Sequence, residues 1–190
     1  KEVIIEGEDN RLKINKDDLV LTYATRGMEP LRGFPQFMRA LPVLLNKFEN
    51  LKVLIGGRDR SAYGPRCPKY NGSWKEMMLK ELPKLRNHPR ITYTGLMNYE
   101  NYRLMLQRTN LHVYLTQPYV TSWSLFEAAA CGTPLICNKS AATNGTITIP
   151  NEYLLKKIDE IYEPSGIEKA SNILKQKRRR NSFLQEDLSL

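Results

Sequence analysis

Short apolar runs alternate with longer stretches of helical spacing along most of the chain. "DLVLTYA" (18–24), "LKVLIGG" (51–57), "RITYTG" (90–95), "NLHVYLT" (110–116) and "TPLIC" (133–137) are β-branched or nearly continuously apolar, and each reads as a buried strand. Between them, "FPQFMRALPVLLNKF" carries Phe34, Phe37, Met38, Leu41, Leu44, Leu45 and Phe48 at helical spacing. Pro42 is expected to perturb that helix or to fall at a register change. "SWKEMMLKELPKL" (73–85) predicts an amphipathic helix with Ser73 and Glu76 in capping-box register. "NYENYRLMLQRT" (98–109) predicts another helix. Further on, "TITIP" (146–150) reads as a strand and 166–180 as a helix running into a basic end.

Strands that alternate with helices and show little in/out polarity belong in a parallel sheet covered on both faces. The fold class is therefore α/β, a Rossmann-like three-layer sandwich with a mostly parallel sheet. Ligands of such folds sit beyond the carboxyl ends of the strands, where strand order switches. The segments that follow strands are "TRGMEPLRG", "GGRDRSAYG", "TGLMN" and "TQPYVTSWS", so these are expected to share one rim. The loop 58–72 is long and rich in Pro, Gly and Tyr, as loops that are functional or disordered commonly are.

Composition changes the picture only in part. The 190 residues are 41% hydrophobic and 26% charged, an ordinary globular balance for one large domain. The net charge of +9 suits an anionic partner, although a run of basic residues at 175–180 supplies part of it. Cys67, Cys131 and Cys137 show no metal spacing and no even disulfide set, as expected in a reducing compartment. His112 lies inside a strand pattern and reads as a strand residue rather than a ligand. No zinc or haem pattern occurs, so no metal site is expected. No apolar run approaches the ~20 residues of a membrane span. The chain begins "KEVIIEG" without Met, as expected of a piece of a longer protein.

Several residues could carry chemistry. Arg26 and Arg32 flank a turn at the mouth of a strand, with Gly27 letting the backbone bend and Gly33 opening the next helix. Two guanidinium groups beside a helix N-terminus make an anion site suited to a diphosphate, or are simply two exposed arginines on a loop. Gly56 and Gly57 lack the third glycine of a dinucleotide fingerprint, and no Walker A sequence occurs. A glycine pair after a strand nevertheless lets a ligand approach the backbone, or simply makes a turn.

In "YVTSWSLFEAAACGTPLIC" (119–137), small residues let a helix pack closely on a sheet, and Gly132 and Pro134 stop it. Glu127 has two readings. Local chemistry favours a capping box with Ser124, in which the carboxylate returns to the backbone of Ser124. In the other reading the helix starts near Ser122, Glu127 projects toward the rim onto sugar hydroxyls, and the backbone N–H groups of Ser122, Trp123 and Ser124 face a phosphate.

Taken in order, "TRGMEPLRGFPQFMRALPVLL", "LIGG", "ITYTGLMNYENYRLMLQRTNLHVYLT" and "WSLFEAAACGTPLI" resemble the C-terminal, donor-binding domain of family 4 glycosyltransferases, one half of a GT-B fold. The resemblance covers about 19–137 and fades from Ala141 onward. It implies that Arg26 and Arg32 hold the donor diphosphate, with Arg32 in place of the usual lysine. It also implies that Glu127, the second Glu of an E-x7-E motif, holds the ribose hydroxyls. Tyr119 falls where the first Glu would touch the donor sugar, a departure, since a phenol cannot accept like a carboxylate. Leu96, Met97 and Asn98 match the segment bordering the base, and Gly56 and Gly57 lie where the backbone approaches the nucleotide. Residues 1–180 are then a donor domain and 181–190 a tail. The acceptor half is expected to lie N-terminal and outside this chain, leaving the domain inactive alone.

The activity implied is retaining transfer of a hexosyl group from a UDP-, GDP- or ADP-sugar to a glycan or lipid-linked acceptor in the cytoplasm, with no further cofactor. The basic run would meet the inner face of a membrane. A non-catalytic module binding anions or nucleic acid is the alternative. Against it, the basic residues are not interleaved with aromatics and no nucleic-acid motif occurs, so no nucleic acid is expected.

Overall fold

A computed structural model describes residues 2–117 and 122–138. Its centre is a five-stranded parallel sheet: β3 (Leu19–Gly27), β4 (Leu51–Arg58), β5 (Ile91–Gly95), β6 (Leu111–Tyr114) and β7 (Leu135–Cys137). The spatial order is β5-β4-β3-β6-β7, so β3 is central, with Leu21 paired to Val53 on one side and to Leu111 on the other. The chain builds outward from β3 through β4 to β5, then returns to the far side for β6 and β7. That reversal is the switch point at which doubly wound folds bind ligands. The α/β, Rossmann-like, mostly parallel architecture expected from the alternation is what the chain adopts.

Both faces are covered. Leu21, Tyr23, Val53, Ile55, Ile91 and Val113 point to one core, under helices α1 (Phe34–Lys47) and α2 (Trp74–Glu81). Val20, Leu54, Tyr114, Leu135 and Cys137 point to a second core, under α3 (Tyr99–Arg108) and α4 (Trp123–Ala130). Alternate strand residues thus serve opposite layers, which is why the strands look apolar throughout. His112 is a buried strand residue, its Nδ1 2.7 Å from Thr22 Oγ1, and burial holds its pKa down at about 4.

Three local expectations need correction. The helix α1 continues past Pro42, which falls inside it rather than at a boundary. Proline in a helix interior costs about 3 kcal/mol. Phe34, Phe37, Met38, Leu41, Leu44 and Leu45 are all buried on the same helix, at about 1.5–3 kcal/mol each, so packing wins. The predicted helix 73–85 ends at Glu81, because Pro83 cannot continue it, and Pro83–Leu85 forms a short 3-10 turn. Ser73 caps it as expected, accepting from Glu76 N–H at 2.9 Å, but the Glu76 carboxylate turns to Arg86 rather than back to the cap.

The first residues, given no structure from sequence, form a hairpin: β1 (Val3–Glu6) pairs antiparallel with β2 (Arg11–Ile14). Leu12 and Ile14 enter the second core, and Asn10 Nδ2 donates to Ile91 O at 2.9 Å. The hairpin thereby leans on β5, one of the two terminal strands of the sheet among the described residues.

Candidate functional site

The carboxyl ends of the strands open into a cleft of about 920 Å³. Ala24, Thr25 and Arg26 from β3, Gly56 and Gly57 from β4, and Gly95 from β5 line it, joined by Thr116 and Gln117 after β6 and by Ser122, Trp123 and Ser124 at the head of α4. The four segments expected on one rim therefore do meet there. Backbone shape makes room for it. Gly57 has φ 120°, and a Cβ there would run into Thr25 O. Only glycine tolerates both constraints.

Arg26 and Arg32 stand on one wall. Arg32 Nη1 donates to Thr116 Oγ1 at 2.8 Å, and its backbone carbonyl accepts from the Tyr23 hydroxyl at 2.9 Å. Thr116 is itself propped by Asn138, whose side chain bonds the Thr116 amide at 2.8 Å and its carbonyl at 2.7 Å. Arg26 Nη1 donates to the Tyr63 hydroxyl at 3.3 Å, and the Arg32 guanidinium lies 5.0 Å over the Tyr63 ring. The hydrogen bond from Arg26 is the main cause holding the Tyr63 phenol below its ordinary pKa. Among the described residues neither arginine forms an ion pair with a carboxylate.

Other predicted positions fall into place unevenly. Leu96 and Met97 line the cleft, as do Ser122, Trp123 and Ser124. Asn98 does not; its side chain caps α3, accepting from Asn101 N–H at 2.8 Å. Gly27 is not a turn residue but the last residue of β3, buried where Arg60 O would lie 2.5 Å from an added Cβ. Its role is to let the loop after β4 press on the strand end. The capping box at Ser124 is not formed: Ser122 is the residue before α4, without a side-chain cap, and its Oγ meets Ser124 Oγ at 2.6 Å. The Ser122 amide, expected to face a ligand, donates instead to the Tyr114 hydroxyl at 2.9 Å. The amides of Trp123 and Ser124, in the first turn, have no partner within their own helix.

Glu127 is half-buried and is not among the residues that line the cleft. Its carboxylate faces Tyr102, a cleft-lining residue. Burial first, and then that carboxylate, push the Tyr102 phenol up, although the two do not meet in a hydrogen bond of standard geometry. Tyr119 lies outside the described residues.

Sequence reasoning missed Leu31, Tyr63, Tyr99, Tyr102, Thr116 and Gln117, all of which line the cleft. The "AYG" inside a long loop after a strand was the available signal for Tyr63. It also missed Glu29, fully buried, whose carboxylate accepts N–H bonds from Ala62 at 3.0 Å and Gly64 at 2.7 Å. Among the described residues no group of three or more His, Cys, Asp or Glu side chains is placed to hold a metal ion, and no helix is long and apolar enough to cross a membrane.

The sequence profile of the glycosyl transferases group 1 family matches residues 5–180, and the chain belongs to that family. No curated protein sequence matches it. Among solved structures it is similar to the pneumococcal O-GlcNAc transferase GtfA in complex with UDP and GlcNAc, with a TM-score of 0.59 at 15% identity over 85% of this chain and 29% of that one. It is similar to Anabaena HepE in complex with UDP-glucose, at TM-score 0.54 and 15% identity over 83% of this chain and 42% of that one. It is also similar to the C-terminal domain of the group 1 family glycosyl transferase LpcC from Francisella tularensis, at TM-score 0.58 and 15% identity over 82% and 78%. At such identities the likeness is one of fold. The chain spans less than half the length of the first two of these proteins.

Proposed function

We propose that this chain is the donor-binding half of a glycosyltransferase and that its cleft takes a nucleoside-diphosphate sugar. One observation carries the reading. Arg26 and Arg32 stand together at the carboxyl ends of the strands, held by hydroxyl partners only, with no carboxylate to neutralise them among the described residues. A diphosphate would supply the missing charge, through bidentate contacts. Membership of the glycosyl transferases group 1 family, and neighbours solved with UDP or UDP-glucose, support the same donor class.

In this reading Leu96 and Met97 border the base, Gly56 and Gly57 admit the nucleotide against the backbone, and the amides of Trp123 and Ser124 assist at the phosphate. As the glycosidic bond breaks, charge grows on the leaving diphosphate, and the two guanidinium groups meet it. Glu127 takes the ribose hydroxyls after a shift of its side chain from Tyr102; for Tyr119, outside the described residues, the family resemblance implies the role of donor-sugar contact. Transfer retains configuration. The acceptor, a glycan or lipid-linked saccharide, is presented by an N-terminal half, and the basic run at 175–180 rests on an anionic membrane face at the cytoplasmic side.

Titration calorimetry of the chain with UDP, GDP and ADP tests the reading. Binding of at least one is expected. Absence of binding by all three, with the fold intact by circular dichroism, would overturn it.

A further inference from the structure

The loop after β4 carries a device that the arginine pair alone does not explain. Glu29, at the turn between β3 and α1, is 0% exposed, and its carboxylate has no cationic partner at ion-pair distance among the described residues. It accepts instead from three consecutive backbone amides: Ala62 at 3.0 Å, Tyr63 at 3.1 Å and Gly64 at 2.7 Å. A buried charge is stable only when such donors replace its water. These bonds are charge-assisted and about twice as strong as neutral ones. They pin the loop residue between them, yet the Tyr63 side chain they present is 58% exposed and so is not held for core packing. Its ring lies 5.0 Å beneath the Arg32 guanidinium and its hydroxyl accepts from Arg26 at 3.3 Å.

We propose that Tyr63, fixed in place by the buried Glu29 carboxylate, is a positioning residue that holds Arg26 and Arg32 together in the cleft ahead of the anion. The inference rests on the reading of the cleft as a nucleoside-diphosphate site. Two guanidinium groups brought to one wall repel each other. An electron-rich ring face under one and a hydroxyl oxygen before the other offset that repulsion with no added negative charge. A carboxylate in the same place would hold the arginines better but would compete with the diphosphate. Freezing two long side chains in advance also removes the ordering cost that each would otherwise charge against binding.

The test is a double-mutant cycle by calorimetry on the chain, using whichever of UDP, GDP or ADP the wild type binds. Tyr63→Phe keeps the ring and removes only the hydroxyl on an exposed side chain, so the fold is not at stake. It is expected to weaken binding about 3- to 10-fold, the size of one net hydrogen bond, and to have no further effect when Arg26 is already alanine. Tyr63→Leu, losing ring and hydroxyl, is expected to weaken binding more than Tyr63→Phe. Unchanged affinity in Tyr63→Phe, or an equal loss in both backgrounds, overturns the positioning role while leaving the donor-site reading standing. No binding by the wild type overturns both.

Discussion

Two concave regions of this molecule are lined by cations, and they differ in what answers the charge. At the outer edge of the sheet, beside β5, a cavity of about 430 Å³ is lined by Asp9, Lys75, Glu76 and Arg86 among others. Each cation there is paired. Lys75 Nζ reaches Glu8 at 3.3 Å and Asp9 at 3.9 Å, and lies 4.1 Å over the Tyr93 ring, while Arg86 bonds Glu76 at 2.8 Å. In the larger cleft Arg26 and Arg32 meet a phenol and a threonine hydroxyl. Count of basic residues does not separate the two regions; the identity of their partners does. A cation already bonded to a carboxylate gives up that bond to take an anion, and the exchange gains little. A cation held by a neutral oxygen keeps its full charge for the ligand.

The contrast can be broken most strongly at the arginines. Arg26→Ala and Arg32→Ala are each expected to weaken nucleoside-diphosphate binding by about 1.5–3 kcal/mol, as for a lost charged hydrogen bond. Lys75→Ala and Arg86→Ala in the edge cavity are expected to leave the affinity unchanged. Calorimetry on the four variants decides, and loss of affinity at the edge instead would reverse the assignment. A subtler change gives the cleft the character of the edge. Thr116→Asp places a carboxylate where Arg32 now finds a hydroxyl at 2.8 Å. A loss of about tenfold in affinity, about 1.4 kcal/mol, is expected. Retention of full affinity would show that a neutral partner is not what keeps the site open.

The smallest effect lies in acid stability. The hydrogen bond from Arg86 is the first cause holding the Glu76 carboxyl below its ordinary value of 4.5. A depressed folded-state pKa contributes stability that is complete above the unfolded value and disappears as pH falls through the lowered one. Urea unfolding followed below pH 4.5 should therefore show a shallower loss of stability in Arg86→Gln than in wild type. Removing Arg26 and Arg32 should leave that slope as it is, since no carboxylate among the described residues is paired with either. A changed slope there would reveal an acidic partner in the cleft.

Much of this was legible in one dimension, for reasons that can be named residue by residue. The strand "LKVLIGG" was readable because both its faces are buried, so no polar alternation interrupts it. Ser73 was readable as a cap because its bond reaches only three residues along the chain. Gly132 was readable as a helix stop, and it has φ 66° with Thr133 N–H returning to Ala128 O at 3.0 Å. The hairpin at the start of the chain was missed although Val3, Ile4 and Ile5 are all β-branched, because each of its strands is only four residues long and the second carries just two apolar residues, Leu12 and Ile14. Glu127 was misjudged at the level of the cap because the box Ser124–Glu127 competes with a start two residues earlier. Tertiary contact with Tyr114 and Tyr102, not local chemistry, settles where α4 begins and what the carboxylate faces.

The sequence by itself determined the alternation of strands and helices, the rim on which four loops gather, and the arginines that occupy it. These are short-range or periodic properties, and the physics that sets them acts within a few residues. What only the tertiary structure decided is the state of those arginines. Tyr63 comes from 37 residues beyond Arg26 and Thr116 from 84 beyond Arg32, and Glu29 fixes a loop more than 30 residues away. Hydrogen bonds over such separations leave no periodic trace in the chain, because any residue that can donate or accept at that point in space would serve.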